Sequence, residues 1–82
     1  MSPTVFREGP FRFFFFSREE PRMHVHVRAA EREAKFWIDP EIEVAENAGF
    51  GTAELGKIRT LVEEHRDEIR AAWQEHFGGG GR

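Results

Sequence analysis

The sequence predicts an α+β fold: a small antiparallel sheet of four to five strands with one long C-terminal helix packed on one face. Three observations carry this expectation. Short stretches of alternating polarity, separated by turn residues, fill positions 3–38. From Leu55 onward, apolar residues recur at steps of three and four. No second helical stripe exists to cover the other side of the sheet.

The first strand is expected at 3–8, with Val5 and Phe6 as its apolar content, and Gly9-Pro10 marks a turn. Phe11–Phe16 is the second strand; Arg12 is its one residue that is not aromatic, and aromatic rings favour a pleated surface. The polar stretch 17–22 is expected to be a loop. In the third strand Met23, Val25 and Val27 alternate with His24, His26 and Arg28. After a turn at 29–32, Ala34, Phe36 and Ile38 alternate with Glu33, Lys35 and Trp37. Residues 41–45 read as a short edge strand, or as a helical turn opened by Asp39-Pro40. The segment 46–51 breaks the chain.

Thr52 is the expected N-cap of the helix. Its stripe is Leu55, Ile58, Val62, His65, Ile69, Trp73 and Phe77, and it runs through His65 without a break. Gly56 weakens the first turn by about 1 kcal/mol relative to alanine. Glu63–Arg66 and Asp67–Arg70 are expected as pairs along the solvated face. His65 reads as a boundary core residue, and His76 as a helix-end residue suited to the helix dipole. One domain spans 1–77, and the glycine-rich 78–82 form a flexible tail.

These periods divide the sheet into two faces. Phe11, Phe13, Phe15, Met23, Val25, Val27, Ala34, Phe36 and Ile38 lie under the helix. Arg12, Phe14, Phe16, His24, His26, Arg28, Glu33, Lys35 and Trp37 form the other face. Three rings left in water would exceed the few-hundred-Å² apolar patch that a monomer usually shows. That face is therefore expected to meet a protein partner, a second copy of the chain, or stacked bases. If the strands curl instead, the helix or the N-terminal segment covers part of both faces.

The same residues offer chemistry. His24 and His26, on one side of a strand, are candidate acid–base groups; Lys35 or Arg28 would stabilise a phosphorane. That would make a metal-independent ribonuclease, with Phe14, Phe16 and Trp37 stacking bases. The two imidazoles also have chelating spacing, with Glu33 or Asp39 as a third metal ligand. The plain alternative is a polar face that tolerates imidazole rings. No nucleophile motif or phosphate-cradling glycine loop is present, and no small-molecule cofactor is expected.

Composition narrows the setting. The chain has 82 residues, no cysteine and a formal charge of −3. The charge is uneven: residues 1–39 hold seven Arg/Lys against six Asp/Glu, and residues 40–82 hold five against nine. A mildly acidic chain is no general nucleic-acid binder, although its first half can carry a local basic face. The absence of thiols, of a long apolar run and of a signal-like start leads to the expectation of a cytoplasmic protein without membrane contact.

Pro3-Thr4-Val5, Arg12–Ser17, Glu20–Val27, Glu33–Pro40, Asn47–Phe50, Leu55 and Ala72–Phe77 together resemble the small prokaryotic proteins grouped as domain of unknown function 4160. The His-Val-His-Val and Ala-Lys-Phe-Trp segments are its specific parts; the helix is generic, and the glycine tail lies outside it. The resemblance implies membership of two-gene operons, for which a toxin–antitoxin role has been proposed, beside another small domain of unknown function. It implies no catalytic residues. It points to a protein partner, as does the aromatic face.

Overall fold

Alternating polarity builds the sheet seen in the computed structural model, which describes residues 4–16 and 21–78. Five strands, β1 (Thr4–Glu8), β2 (Phe11–Phe14), β3 (His24–Ala29), β4 (Arg32–Trp37) and β5 (Glu43–Ala48), form one antiparallel meander in chain order. Residues 17–20 of the expected loop and 79–82 of the expected tail lie outside the described residues.

Both tight hairpins have two-residue loops, and each turns on a positive φ at the first loop position. In the β1–β2 loop this is Gly9 at +57°, followed by Pro10. In the β3–β4 loop it is Ala30, also at 57°. A side chain at positive φ costs roughly 1–2 kcal/mol, and glycine removes the clash. Ala30→Gly is therefore expected to stabilise the fold by about 1 kcal/mol, read as a higher urea midpoint with an unchanged slope. An unchanged or lower midpoint would show that Ala30 is not strained.

The last strand starts and ends later than the sequence suggests. β5 covers Glu43–Ala48 and no helical turn follows Pro40; Asp39–Pro40 is a cis peptide. Phe36 pairs with Val44 and Lys35 with Glu46, so Ala45 is the extra residue of a bulge. The chain then turns at Gly49, with φ +107°. A Cβ there would lie 2.8 Å from Arg32 Cγ, so only glycine fits. Asn47 Oδ1 accepts the Phe50 N–H at 3.1 Å and its Nδ2 donates to the Phe50 carbonyl at 3.0 Å.

The single long helix is corrected to two. α1 spans Thr52–Glu64, α2 spans Arg66–Trp73, and a π-helical turn covers Gln74–Gly78. The interruption is His65, at φ −103° and ψ 15°. Its N–H still donates to Leu61 O at 3.0 Å, and Ile69 N–H donates to His65 O at 2.9 Å, so the path continues through a local break. The spacing supplies the reason. Ile58, Val62, His65, Ile69 and Trp73 cover 15 residues in four steps, more than one α-helical turn of about 3.6 residues per step, so a straight helix would rotate the stripe off the sheet by roughly 60°. The break at His65 falls inside this stretch, and the wider π-helical turn follows Trp73. His65 is held at the break by stacking on Phe6 at 3.8 Å between centroids, and by Glu68 Oε1, 2.7 Å from its Nδ1.

Thr52 is not the N-cap. Gly51 holds that position without a side-chain cap, and the Glu54 carboxylate reaches back to the Gly51 N–H. Glu54 also binds Arg32, which ties α1 to β4. The hydrogen bond from Arg32 holds the Glu54 carboxyl below its ordinary value of 4.5. A depressed folded-state pKa means stability that is present above the unfolded value and lost as pH falls through the folded one. Glu54→Gln should therefore flatten the acid limb of melting temperature against pH, while leaving a pH-independent loss at neutrality. An unchanged acid limb would place the acid sensitivity elsewhere.

The solvated-face arginines also go elsewhere. Arg70 donates to Asp39 Oδ1 at 2.5 Å, with Arg66 at 3.6 Å, and Arg59 pairs with Glu63 at 3.6 Å. Asp39 thereby fastens α2 to the turn after β4. The core is the one the alternation predicts: Phe11, Phe13, Phe15, Met23, Val25, Val27, Ala34, Phe36 and Ile38 against Ile58, Val62, Ile69 and Trp73. Phe6 stacks on Phe13 at 4.2 Å. Among the described residues, no helix is long and apolar enough to cross a membrane.

Candidate functional site

The helix-free face is built from three rows of residues that share a register. One row runs Arg7, Arg12, Arg28, Glu33 and Ala48 across β1 to β5. The next runs Thr4, Phe14, His26, Lys35 and Glu46. The third holds His24, Trp37 and Glu43. The second strand ends at Phe14, two residues earlier than expected, so Phe16 lies beyond it. The other residues expected on this face from the alternation lie in these rows, but their exposure is not what was expected.

Phe14 is only 2% exposed, although no helix lies over it. Its cover is made of side chains. The Arg12 guanidinium sits 4.6 Å from its ring centroid, His26 stacks at 5.6 Å and Phe16 meets it edge-on at 5.4 Å. Trp37 is half-buried under Arg22 at 4.3 Å and Lys35 at 4.6 Å. Among the described residues, long cationic side chains thus lay their stems and charges over the rings, which removes much of the apolar surface from water. Of the three rings expected in solvent, Phe16 alone stays well exposed, at 41%.

The histidine pair is less open than the alternation suggests. His24 is fully buried, wedged edge-on between Trp37 at 5.6 Å and Trp73 at 5.2 Å. Its Nδ1–H donates to the Arg22 carbonyl at 2.7 Å, which assigns the proton to Nδ1. Trp73 reaches it because the end of α2 wraps the end of the sheet, where Phe15 also meets Trp73 at 5.4 Å. At this end the helix therefore covers part of both faces, the alternative to a helix confined to one face. A substrate cannot touch His24 here, so His24 and His26 do not form an open catalytic pair with Lys35. The ring centroids lie 5.1 Å apart, but Glu33 is in a different row and Asp39 is occupied by arginines. Among the described residues, no three His, Asp or Glu side chains gather as a metal site.

What the face does present is charge. Arg7, Arg12 and Arg28 lie directly opposite one another on neighbouring strands. Like charges in that relation destabilise a sheet. Arg12 Nε donates to Thr4 Oγ1 at 2.8 Å, and Glu33 faces Arg28, but the row remains predominantly cationic. Beside it, a hollow of about 420 Å³ opens over β4 and β5, lined by Phe16, His26, Glu33, Lys35 and Glu46 among others.

The sequence reading missed two members of this site. Arg7 was hidden because Val5 is the extra residue of a bulge, so Val5 and Phe6 do not report the parity of the strand. Counting outward from Phe6 alone would have found it. Glu46 reaches this face only through the bulge at Ala45, and no sequence signal marks that.

The family described as Domain of unknown function (DUF4160) matches residues 11–74. The chain belongs to this family. The DUF4160 match runs from the start of β2 past the end of α2, so Arg12, Arg28, Phe16 and Glu46 lie within it and Arg7 lies outside. No curated protein and no solved structure matches the chain.

Proposed function

We propose that this DUF4160 protein is a small binding protein whose helix-free sheet face holds single-stranded RNA in the cytoplasm. The observation that supports it is the in-register row Arg7–Arg12–Arg28. Three neighbouring strands place these guanidinium stems over a span of roughly 10 Å, within reach of successive phosphates of an extended strand. Phe16 offers an exposed ring for stacking, the second element of single-strand recognition. The rest of the molecule is acidic, which confines binding to this face and disfavours duplexes that would meet a broader surface. With His24 closed off, the role is binding, and no cleavage step is assigned.

The test is fluorescence anisotropy with a labelled uridine pentamer across a salt series. Three phosphate contacts predict a log–log salt slope of about −2. No binding at low salt, or a slope near zero, removes the reading.

A second reading has its own support. Phe16 and Val44 are each 41% exposed, one on the helix-free face and one at the β5 edge, and both suit a protein surface. In that reading the occupant is the product of the neighbouring gene, in a toxin–antitoxin-like pair, or a second copy of the chain. Growth arrest on expression, rescued by the neighbour and not by its variant unable to bind this chain, would support the pair. A monomer by light scattering across a hundredfold concentration range would remove self-association.

A further inference from the structure

The hollow beside the arginine row is more than a rim. The bulge at Ala45 puts Glu46 opposite Lys35 on the helix-free face; without it, Glu46 would fall on the face that holds Ala34 and the core. The result is one exposed carboxylate, one exposed aromatic ring and two polar side chains more than nine-tenths buried, Lys35 at 8% and His26 at 9%, around about 420 Å³. Arg28 faces Glu33, which lines the same hollow, so the arginine row leads into it.

We propose that this hollow is a base pocket that selects guanine. The inference rests on the RNA reading above and names what that face prefers. A carboxylate has two acceptor oxygens and no donor. Guanine presents two adjacent donors, N1–H and the N2 amino group, on its Watson–Crick edge. Adenine, cytosine and uracil each place an acceptor next to their donor, so one of the two Glu46 oxygens would face a lone pair. Lys35, whose ammonium sits over the Trp37 ring at 4.6 Å, adds positive potential beside the guanine O6. Phe16 is the stacking wall, its ring already meeting His26 edge-on at 4.4 Å. The phosphates flanking that base then fall on Arg28 and Arg12.

The experiment compares uridine pentamers carrying guanosine, adenosine, cytidine or inosine at the centre, together with free guanosine and adenosine monophosphates followed by amide chemical shifts. The guanosine pentamer should bind about tenfold tighter than the adenosine and cytidine ones, with inosine between them because it lacks the N2 donor. Glu46→Gln should abolish that preference, read as the ratio of guanosine- to adenosine-pentamer affinity; Glu46 is exposed, so the fold survives. Guanosine monophosphate should shift the amides around Phe16 and Glu46, and adenosine monophosphate should not. Equal affinity for all four centres with the all-uridine pentamer still bound overturns the pocket and leaves the RNA reading intact. A preference that persists in Glu46→Gln assigns guanine to another group and also overturns the pocket. A chain that binds no pentamer overturns the RNA reading and the pocket with it.

Discussion

Trp73→Ala is expected to lower stability by about 3–5 kcal/mol, the usual cost of emptying a large aromatic site in a core. A chain of 82 residues has roughly 4–12 kcal/mol in total, so this one change takes a large share of it. Trp73 is where the second helix meets both sides of the sheet. Its ring lies 5.4 Å from Phe15 and 4.4 Å from Phe77 on the core side, and 5.2 Å from His24, which belongs to the opposite face. Its removal opens a cavity and also admits water to a fully buried imidazole. Urea unfolding reads the first effect. The second appears as faster solvent exchange of the His24 Nδ1–H by NMR. A loss below about 1 kcal/mol would mean that the α2 end does not wrap the sheet as described. Trp73→Phe should recover most of the stability, since it keeps an aromatic contact with Phe15.

Arg28→Glu is the second. The side chain is exposed and lies opposite Arg12 and Glu33, so the fold should change by less than about 0.5 kcal/mol. RNA affinity should fall roughly 10- to 100-fold at low salt, because the change removes a charge-assisted contact worth about 1.5–3 kcal/mol and adds repulsion. The salt slope should become shallower by at least about 0.7. Arg28→Lys separates charge from fork geometry, and should retain the slope while losing part of the affinity. Affinity within twofold of the parent in Arg28→Glu would remove the arginine row from the binding surface. Equal loss for a uridine pentamer and for a duplex of the same length would show that the face senses charge without reading a single strand.

Both predictions depend on a layout that was partly legible beforehand. The two-residue period of Met23–Val27 and of Ala34–Ile38 assigned the core face correctly. The choice of Phe11, Phe13 and Phe15 as its second-strand members also holds, because side chains on a strand alternate whatever the tertiary context. The helical stripe was legible too, and three of its members, Ile58, Val62 and Ile69, are fully buried. The break at His65 was not. It depends on the Phe6 ring, 59 positions earlier in the chain, being present for His65 to stack on.

The site divides in the same way. By itself, the sequence determined the α+β class, the meander order and which residues share each face, because those follow from local alternation and turn chemistry. Only the tertiary structure decided that Arg12, Arg22 and Lys35 roof the rings of Phe14 and Trp37, that Trp73 closes off His24, and that the bulge at Ala45 turns Glu46 onto the face that carries Arg7. Burial of this kind is set by long side chains reaching across strands and by single-residue register shifts. Both depend on neighbours distant in sequence, to which a periodic pattern carries no reference.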